Sequence, residues 1–468
     1  MIATRRLQRS FADGFITEEV TDLWEPWMRQ ADQALEDDQL LGIVQQELSK
    51  RFQKSKTRGR PGTTAEVVLR MLLLKHMRDW SYEDVTREVR ANLVYREFTG
   101  IGGGKVPDDK TIGRVARQLG PEALETLHRR VVAIAVEKNL VEGRKMRVDT
   151  TVVETNIHYP TDSTLMGDGV RVLTRWMKRV VDKVGEVGTE FRDRSRSVKR
   201  RILQIAYAAR HKNEKGQAKM KAAYGKLLEA TSRVVGQAKQ FSAAIAEQAQ
   251  GDGRKLLQKA KQQLDQMIPR VQQVMKQARE RVMHGNTRSE NKILSMFEPD
   301  TEVIRKGKAS KPTEFGKMVK IQEAENQIVT HFEVFDQRPS DSDLLTPSIE
   351  KHQELLGRAP DLAAADAGFF SAANETAAKA MGVKQVAVPS RSTKSEKRKQ
   401  QQKQRWFKKA QKWRTGCEGR ISVLKRRHGL NRSLYKGPSG MKRWVSFGVM
   451  ADNIINIGRH LASMTEAT

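Results

Sequence analysis

The chain has one cysteine, Cys417, in 468 residues. That excludes an internal disulfide framework and any cysteine-rich zinc site. Long apolar runs are also missing. The most apolar stretch, residues 67–77, is broken by Arg70 and Lys75 and is far too short to span a bilayer. The opening MIATRRLQRSFADGFI holds no apolar segment of signal-peptide length, so a soluble intracellular protein is expected. Acids are scarce beside bases. Against 86 Lys and Arg stand 56 Asp and Glu, a formal charge of +30 and a pI near 10.2. Such an excess opposes compaction unless a polyanion offsets it, and nucleic acid is the commonest polyanion. A membrane surface would require the bases to lie opposite an apolar helical stripe, and they do not. A generic solvated surface is the bland alternative.

The length implies two to four domains. Residues 1–60 mix short helical patterns with polar stretches and end in the basic run 50–60. Residues 61–140 are expected to be helical. Arg60-Pro61-Gly62 makes a turn, and Thr63 or Thr64 can cap a helix carrying Val68, Met71 and Leu72. Ser81 caps a second helix with Val85, Val89 and Leu93. After a Gly-rich turn at 100–107, Asp108 opens a third with Ile112, Val115 and Leu119. Three short helices with tight turns make a helix-turn-helix candidate for DNA binding, with a small helical bundle as the plain alternative.

A β-branched strand then follows at 147–153. Residues 166–285 turn helical again, with Gly251-Asp252-Gly253 marking a hairpin in a slender antiparallel pair and Pro269 kinking its last helix. Strands are expected at 317–322, 328–335, 362–366 and 383–388. Helices are expected at 347–356, capped by Thr346, and at 371–381. This alternation reads as an α/β domain made of residues 141–165 and 286–450, interrupted by the helical insertion 166–285. Residues 391–436 hold 17 Lys or Arg against Glu396 and Glu418. Within them, 394–412 reads as a mobile basic arm. A final helix, 444–461, is expected to pack on the sheet, with 451–468 forming its end and a tail.

Three carboxylates stand out. Asp149 lies inside a largely apolar strand, where a charge is costly unless paired or bound to metal. Asp366 ends a strand of small residues and precedes Ala367-Gly368, at the carboxyl end where α/β sheets bind ligands. Glu418 is the lone acid between Lys397 and Lys436. Converging, they could form a hard oxygen cage for Mg²⁺; strand-end capping is an equally open reading of the two aspartates. Arg414, Glu418 and Lys425 are spaced R-x3-E-x6-K along a probable helix at 413–427, one face carrying a carboxylate flanked by two cations. That grouping suits phosphate grip beside a metal. An i,i+4 ion pair on a basic helix is the simpler reading. His158 and Tyr159 precede a turn that is either a DNA contact near Asp149 or an ordinary strand end. Trp406 and Trp413 are expected in the core rather than stacked on a base.

The segments at 60–119, 148–163 (VDTTVVETNIHYPTDS), 364–369 (AADAGF) and 414–425 resemble the DDE transposases of bacterial insertion sequences, in the branch with a Y-x2-R-x3-E-x6-K signature, of ISNCY type. The Tyr of that signature falls on Gln411, and the helical insertion departs from the simplest members. The resemblance implies an RNase H-like catalytic domain behind a helical DNA-binding domain. It also implies Asp149, Asp366 and Glu418 as ligands of two Mg²⁺ ions, with Mn²⁺ able to substitute. Metal-dependent cleavage at element ends and strand transfer into target DNA would follow, by at least a dimer, in a bacterial cytoplasm at the nucleoid. An inactive DNA-binding derivative and an RNase H-like structure-specific nuclease are the alternatives. Arg414 and Lys425, with Lys397, Arg398 and Lys399 of the basic segment, are the expected phosphate contacts.

Overall fold

The computed structural model describes residues 2–6, 11–20, 22–50, 62–185, 191–211, 213–248, 254–305 and 312–466. The basic run 51–60, the start of the turn at Arg60-Pro61 and the Gly251-Asp252-Gly253 hairpin lie outside them.

The chain opens with helices α1 (Phe11–Val20), α2 (Pro26–Leu35), α3 (Asp38–Ser49), α4 (Ala65–Met77), α5 (Tyr82–Ala91), α6 (Leu93–Phe98), α7 (Asp109–Ala116) and α8 (Pro121–Glu137). Their starts are set by side-chain caps. Thr64 accepts from Val67 N, Ser81 forms a capping box with Asp84, and Asp108 accepts from Thr111 N. Strand β1 (Lys145–Thr155) follows, then α9 (Asp162–Val184), α10 (Ser195–Ala208), α11 (Glu214–Gln248) and α12 (Arg254–His284). The chain continues through β2 (Glu302–Ile304), β3 (Glu314–Glu323), β4 (Val329–Val334), α13 (Leu345–Leu356), β5 (Leu362–Ala365), α14 (Ala372–Ala380) and β6 (Gln385–Ala387). It ends with α15 (Glu396–Lys403), α16 (Arg405–Arg427), β7 (Arg432–Ser433) and α17 (Gly437–Glu466).

Two compact units divide the chain: residues 1–156 with 303–468, and residues 157–302. The first holds a mixed sheet in the order β2-β3-β1-β5-β6, with β4 also on β3 and β7 on β1. β3 runs antiparallel to β1 and β4 antiparallel to β3, while β5 and β6 run parallel to β1. Side chains alternate between the two faces of a strand. On β1, Met146 and Val148 therefore pack with Leu345, Ile349, Ala363 and Ala365 on one face. Val153 packs with Leu424 and Trp444 on the other.

Three expectations change here. Helix α17 meets the sheet with Met441, Trp444 and Val445. Its second half, from Phe447 to Ile457, completes the core of the N-terminal helices with Leu35, Leu72 and Leu127. A 30-residue helix is long enough to serve both. Residues 394–412 form no arm. Ser395 caps α15, and Phe407 and Ala410 of α16 pack on Ala364 and Ala387. α13 also starts earlier than Thr346: a 3₁₀ turn at Asp341–Leu344 feeds it directly, without a side-chain cap.

The second unit is a bundle of α9 to α12 around Leu173, Met177, Leu227, Phe241, Leu264 and Val271. Four helices with a continuous core replace the slender pair expected. Gly169 makes one contact possible, since a Cβ there would meet Val271 Cγ2 at 2.3 Å. α12 runs through Pro269 and ends fifteen residues beyond it. No helix among the described residues is long and apolar enough to cross a membrane.

Candidate active site

Asp149 and Asp366 reach one place from distant parts of the sequence. β1 and β5 are parallel neighbours with Val148 opposite Ala365, so the two aspartates follow the last paired rung on adjacent strands. Strand spacing puts their backbones about 5 Å apart. Alternation sends Asp149 to the same face as Arg147 and Val153, and continues from Ala364 to Asp366 on that face; α16 covers it.

α16 can lie close because Gly416 spares a side chain. A Cβ on Gly416 would meet Arg147 Nη1 at 2.2 Å. Arg147 uses that space to lie 4.7 Å over the Trp413 ring and to bind the buried Glu323 at 2.9 Å. Cys417 faces the sheet, fully buried, and burial pushes its thiol well up, which removes it as a nucleophile. Gln411, at the signature's Tyr position, donates to Ala365 O at 3.4 Å and to Ala387 O. It thereby ties α16 to β5 one residue before Asp366, a positioning role that residue spacing did not reveal.

Arg414 is the hub. Its Nη2 is 2.8 Å from Glu418 and its Nη1 is 3.6 Å from Asp149. Nε and Nη1 are buried and make no hydrogen bond. The i,i+4 pair on α16 is real, and it is also the link to β1. Asp149 Oδ1 accepts from Thr150 N at 2.7 Å, and Asp366 Oδ1 accepts from Ala367 N at 2.6 Å, with Arg391 3.6 Å away. Asp366 thus also caps the turn at Ala367–Phe369, while the Asp149 contact lies within β1. Asp366 and Glu418 are open to solvent (45% and 59% of their side chains exposed), and Asp149 less so.

The donors fit a hard divalent cation in chemistry, being carboxylate oxygens on one face. They are linked without being gathered. Among the described residues no three His, Cys, Asp or Glu side chains form a group that could hold a metal ion, because Arg414 stands between Asp149 and Glu418. A fourth carboxylate escaped the sequence reading. Asp341 accepts from Thr150 Oγ1 at 3.1 Å on the opposite face of β1. The run Ser340-Asp341-Ser342-Asp343 carried only the signal of a helix start.

The expected phosphate contacts divide. Lys397 and Lys399 are exposed, Lys399 with Glu396 at 2.7 Å. Arg398 is a correction: it is buried, paired with Glu375 at 2.7 Å and bonded to Val388 O, so it holds α15 to β6 and α14. Lys425 lies 4.0 Å from Glu314 on β3 and is mostly covered. Trp406 and Trp413 are partly buried against Ala364 and Ala387, the core role expected of them. His158 bonds Asp168 of α9 at 2.7 Å, and that carboxylate raises its pKa. The third helix of the helix-turn-helix candidate, α7, buries Ile112 and Ala116 and exposes Lys110, Arg114 and Arg117 along one side.

A family profile described as a transposase domain (DUF772) matches residues 27–118. One described as a transposase DDE domain matches residues 375–457, which include α16 and Glu418 and begin beyond Asp366. Over 127 residues the chain is 29% identical to an uncharacterized protein, ORF8 in the nfe locus, of Rhizobium meliloti. That stretch covers 26% of this chain and 61% of the relative's length. No solved structure matches the chain.

Proposed function

Since the chain belongs, by these two domains, to the DDE transposases of insertion sequences, we propose that it cleaves DNA at the ends of a mobile element and joins them to target DNA. The sheet order, with β3 antiparallel to β1 on one side and β5 and β6 parallel to it on the other, supports an RNase H-like catalytic domain. One observation carries the reading. Asp149 and Asp366 share a level and a face of adjacent strands, and Glu418 is tied to Asp149 through Arg414 on the helix above.

Asp149 and Asp366 would hold a divalent ion, with Glu418 the third ligand. A bound pair of Mg²⁺ ions supplies charge neutralisation at the attacking and leaving oxygens. Arg414 has two uses. Against the protein alone its charge offsets Asp149 and Glu418. Against DNA its Nε and Nη1, which make no hydrogen bond within the protein, would donate to a phosphate oxygen once Arg414 turns outward, and drawing Arg414 to phosphate releases Glu418 toward the aspartates. Arg391, exposed beside Asp366, offers a second phosphate contact.

The chemistry balances without a covalent protein intermediate. Water attacks phosphorus at the element's end and the 3′ oxygen leaves as a hydroxyl. That hydroxyl then attacks a target phosphorus in line, and the target's own 3′ oxygen leaves. One phosphodiester is formed for each broken in the second step, so no energy-rich cofactor is required. Exposed cations on α7, and Lys397 and Lys399, serve duplex binding, with α7 the candidate reader of element ends.

The test is incubation of the purified chain with candidate element ends and Mg²⁺, scoring cleavage and strand transfer separately. Asp149→Asn is expected to reduce both to background while a gel shift stays near wild type. Wild-type cleavage by this variant removes Asp149 from the mechanism.

A further inference from the structure

The helical unit carries a groove that the carboxylate site does not use. It occupies about 1020 Å³ between α10 and α11. From α10 it is lined by Arg200, Leu203 and Tyr207, spaced along one helical face, and from the turn after it by Arg210. From α11 it is lined by Lys215, Lys219 and Lys226, again on one face. Residues 195–226 contain ten Lys or Arg and a single acid, Glu214. Among the described residues none of Arg200, Arg201, Arg210, Lys215, Lys219 and Lys226 has a carboxylate partner, whereas cations elsewhere in the same unit do, as in Arg281 with Asp162 at 2.6 Å. Two large apolar side chains stand exposed among these charges, Leu203 at 61% and Tyr207 at 67%. The His211 ring lies 5.4 Å from that of Tyr207. Gly216 lies close to His211, since a Cβ there would strike His211 O at 2.0 Å.

We propose that this groove binds single-stranded DNA, with phosphates on the two rows of cations and a base stacked on Tyr207. Duplex phosphates would satisfy the cations but would leave Leu203 and Tyr207 with nothing to cover them. Unpaired bases present π-faces, and exposed aromatic surface interleaved with cations is how strands are held without sequence preference. The proposal goes beyond the transposase reading. Binding here requires neither metal nor the carboxylates, so it stands or falls apart from cleavage.

The experiment is fluorescence anisotropy of the full chain, without divalent metal, against labelled oligothymidylate and a hairpin duplex, across a salt series. Tyr207→Ala is expected to weaken oligothymidylate binding by about 5- to 150-fold, the range of one lost stack, and to leave the duplex unchanged. Tyr207→Phe should restore binding. Arg200→Ala with Arg210→Ala should lower affinity for the strand and flatten its salt dependence. Equal losses on strand and duplex in Tyr207→Ala, or no loss on the strand, overturn the proposal. Tyr207 is exposed, so its variants should melt like wild type. If Tyr207→Ala does not fold, Arg210→Glu decides: strand binding at wild-type strength overturns the groove.

Discussion

In the sheet-bearing unit Arg147, Arg398 and Arg420 are nearly covered and each faces a carboxylate, respectively Glu323, Glu375 and Asp452. In the helical unit Arg200, Arg201 and Arg210 line a groove and, among the described residues, face none. A covered guanidinium has lost its water, so its carboxylate is part of the architecture. A cation left in solvent among other cations adds only repulsion to the fold, and its partner must come from outside. The same residue type thus builds one unit and is offered to a ligand by the other.

That contrast breaks most visibly in stability. Asp452→Ala would strand Arg420, whose pair with it is 2.7 Å long and 5% and 2% exposed, beside His428. A loss of about 3–5 kcal/mol is expected. Arg210→Ala should change stability by less than about 0.5 kcal/mol. Urea unfolding measures both, and equal costs would erase the distinction.

Acid should separate the units next. His128 is buried, donates its ring N–H to Val329 O at 3.0 Å, and burial lowers its pKa to about 4. The unfolded chain binds the proton from about pH 6.5 downward and the folded one only near 4. Stability therefore falls as pH drops through that window, by about 3 kcal/mol for this group alone. His76 and His352 are lowered by burial too and act in the same direction. In the helical unit His158 has the opposite sign. Its pKa is raised by Asp168, so its contribution is full below the ordinary histidine range and is lost as pH rises through the raised value. Pulse-labelling hydrogen exchange after urea challenge near neutrality and near pH 5 should show protection lost first around Val131 and Val329. Earlier loss around Leu227 and Val234 would reverse the assignment.

Much of the candidate site was legible because it depends on local pattern. A charge in a β-branched strand, an aspartate ending an alanine run and one acid in a field of bases all survive without tertiary knowledge. The caps Thr64, Ser81 and Asp108 were equally readable. Whatever depends on long-range partners was not. Residues 394–412 looked mobile because lysine dominates them. Their order comes from Ser395 and from Arg398 reaching Glu375, 23 positions earlier. Nothing in the periodicity of α17 says which core it serves, nor that Arg414 would stand between two carboxylates. The four-helix core around α9 to α12 looked like a pair because each helix buries only a narrow stripe. Asp341 was hidden by resembling a cap.

The smallest expected effect sharpens the role of the former arm. Lys397→Ala with Lys399→Ala should weaken duplex binding alike on all sequences and flatten the salt slope by up to about 2. Loss of sequence discrimination with an unchanged slope would make this helix a reader of bases.

The central claim is that chemistry occurs on the α16 face of the sheet, at the rung where β1 and β5 last pair. Asp366 and Asp341 both lie at that end of the sheet, on opposite faces, which makes them a matched pair. The direct measurement is strand transfer of a pre-cut element end in Mg²⁺ by Asp366→Asn and by Asp341→Asn, each checked for folding and DNA binding. The account predicts no product from Asp366→Asn and near-normal product from Asp341→Asn. Activity retained by the first and lost by the second would place the active site on the other face.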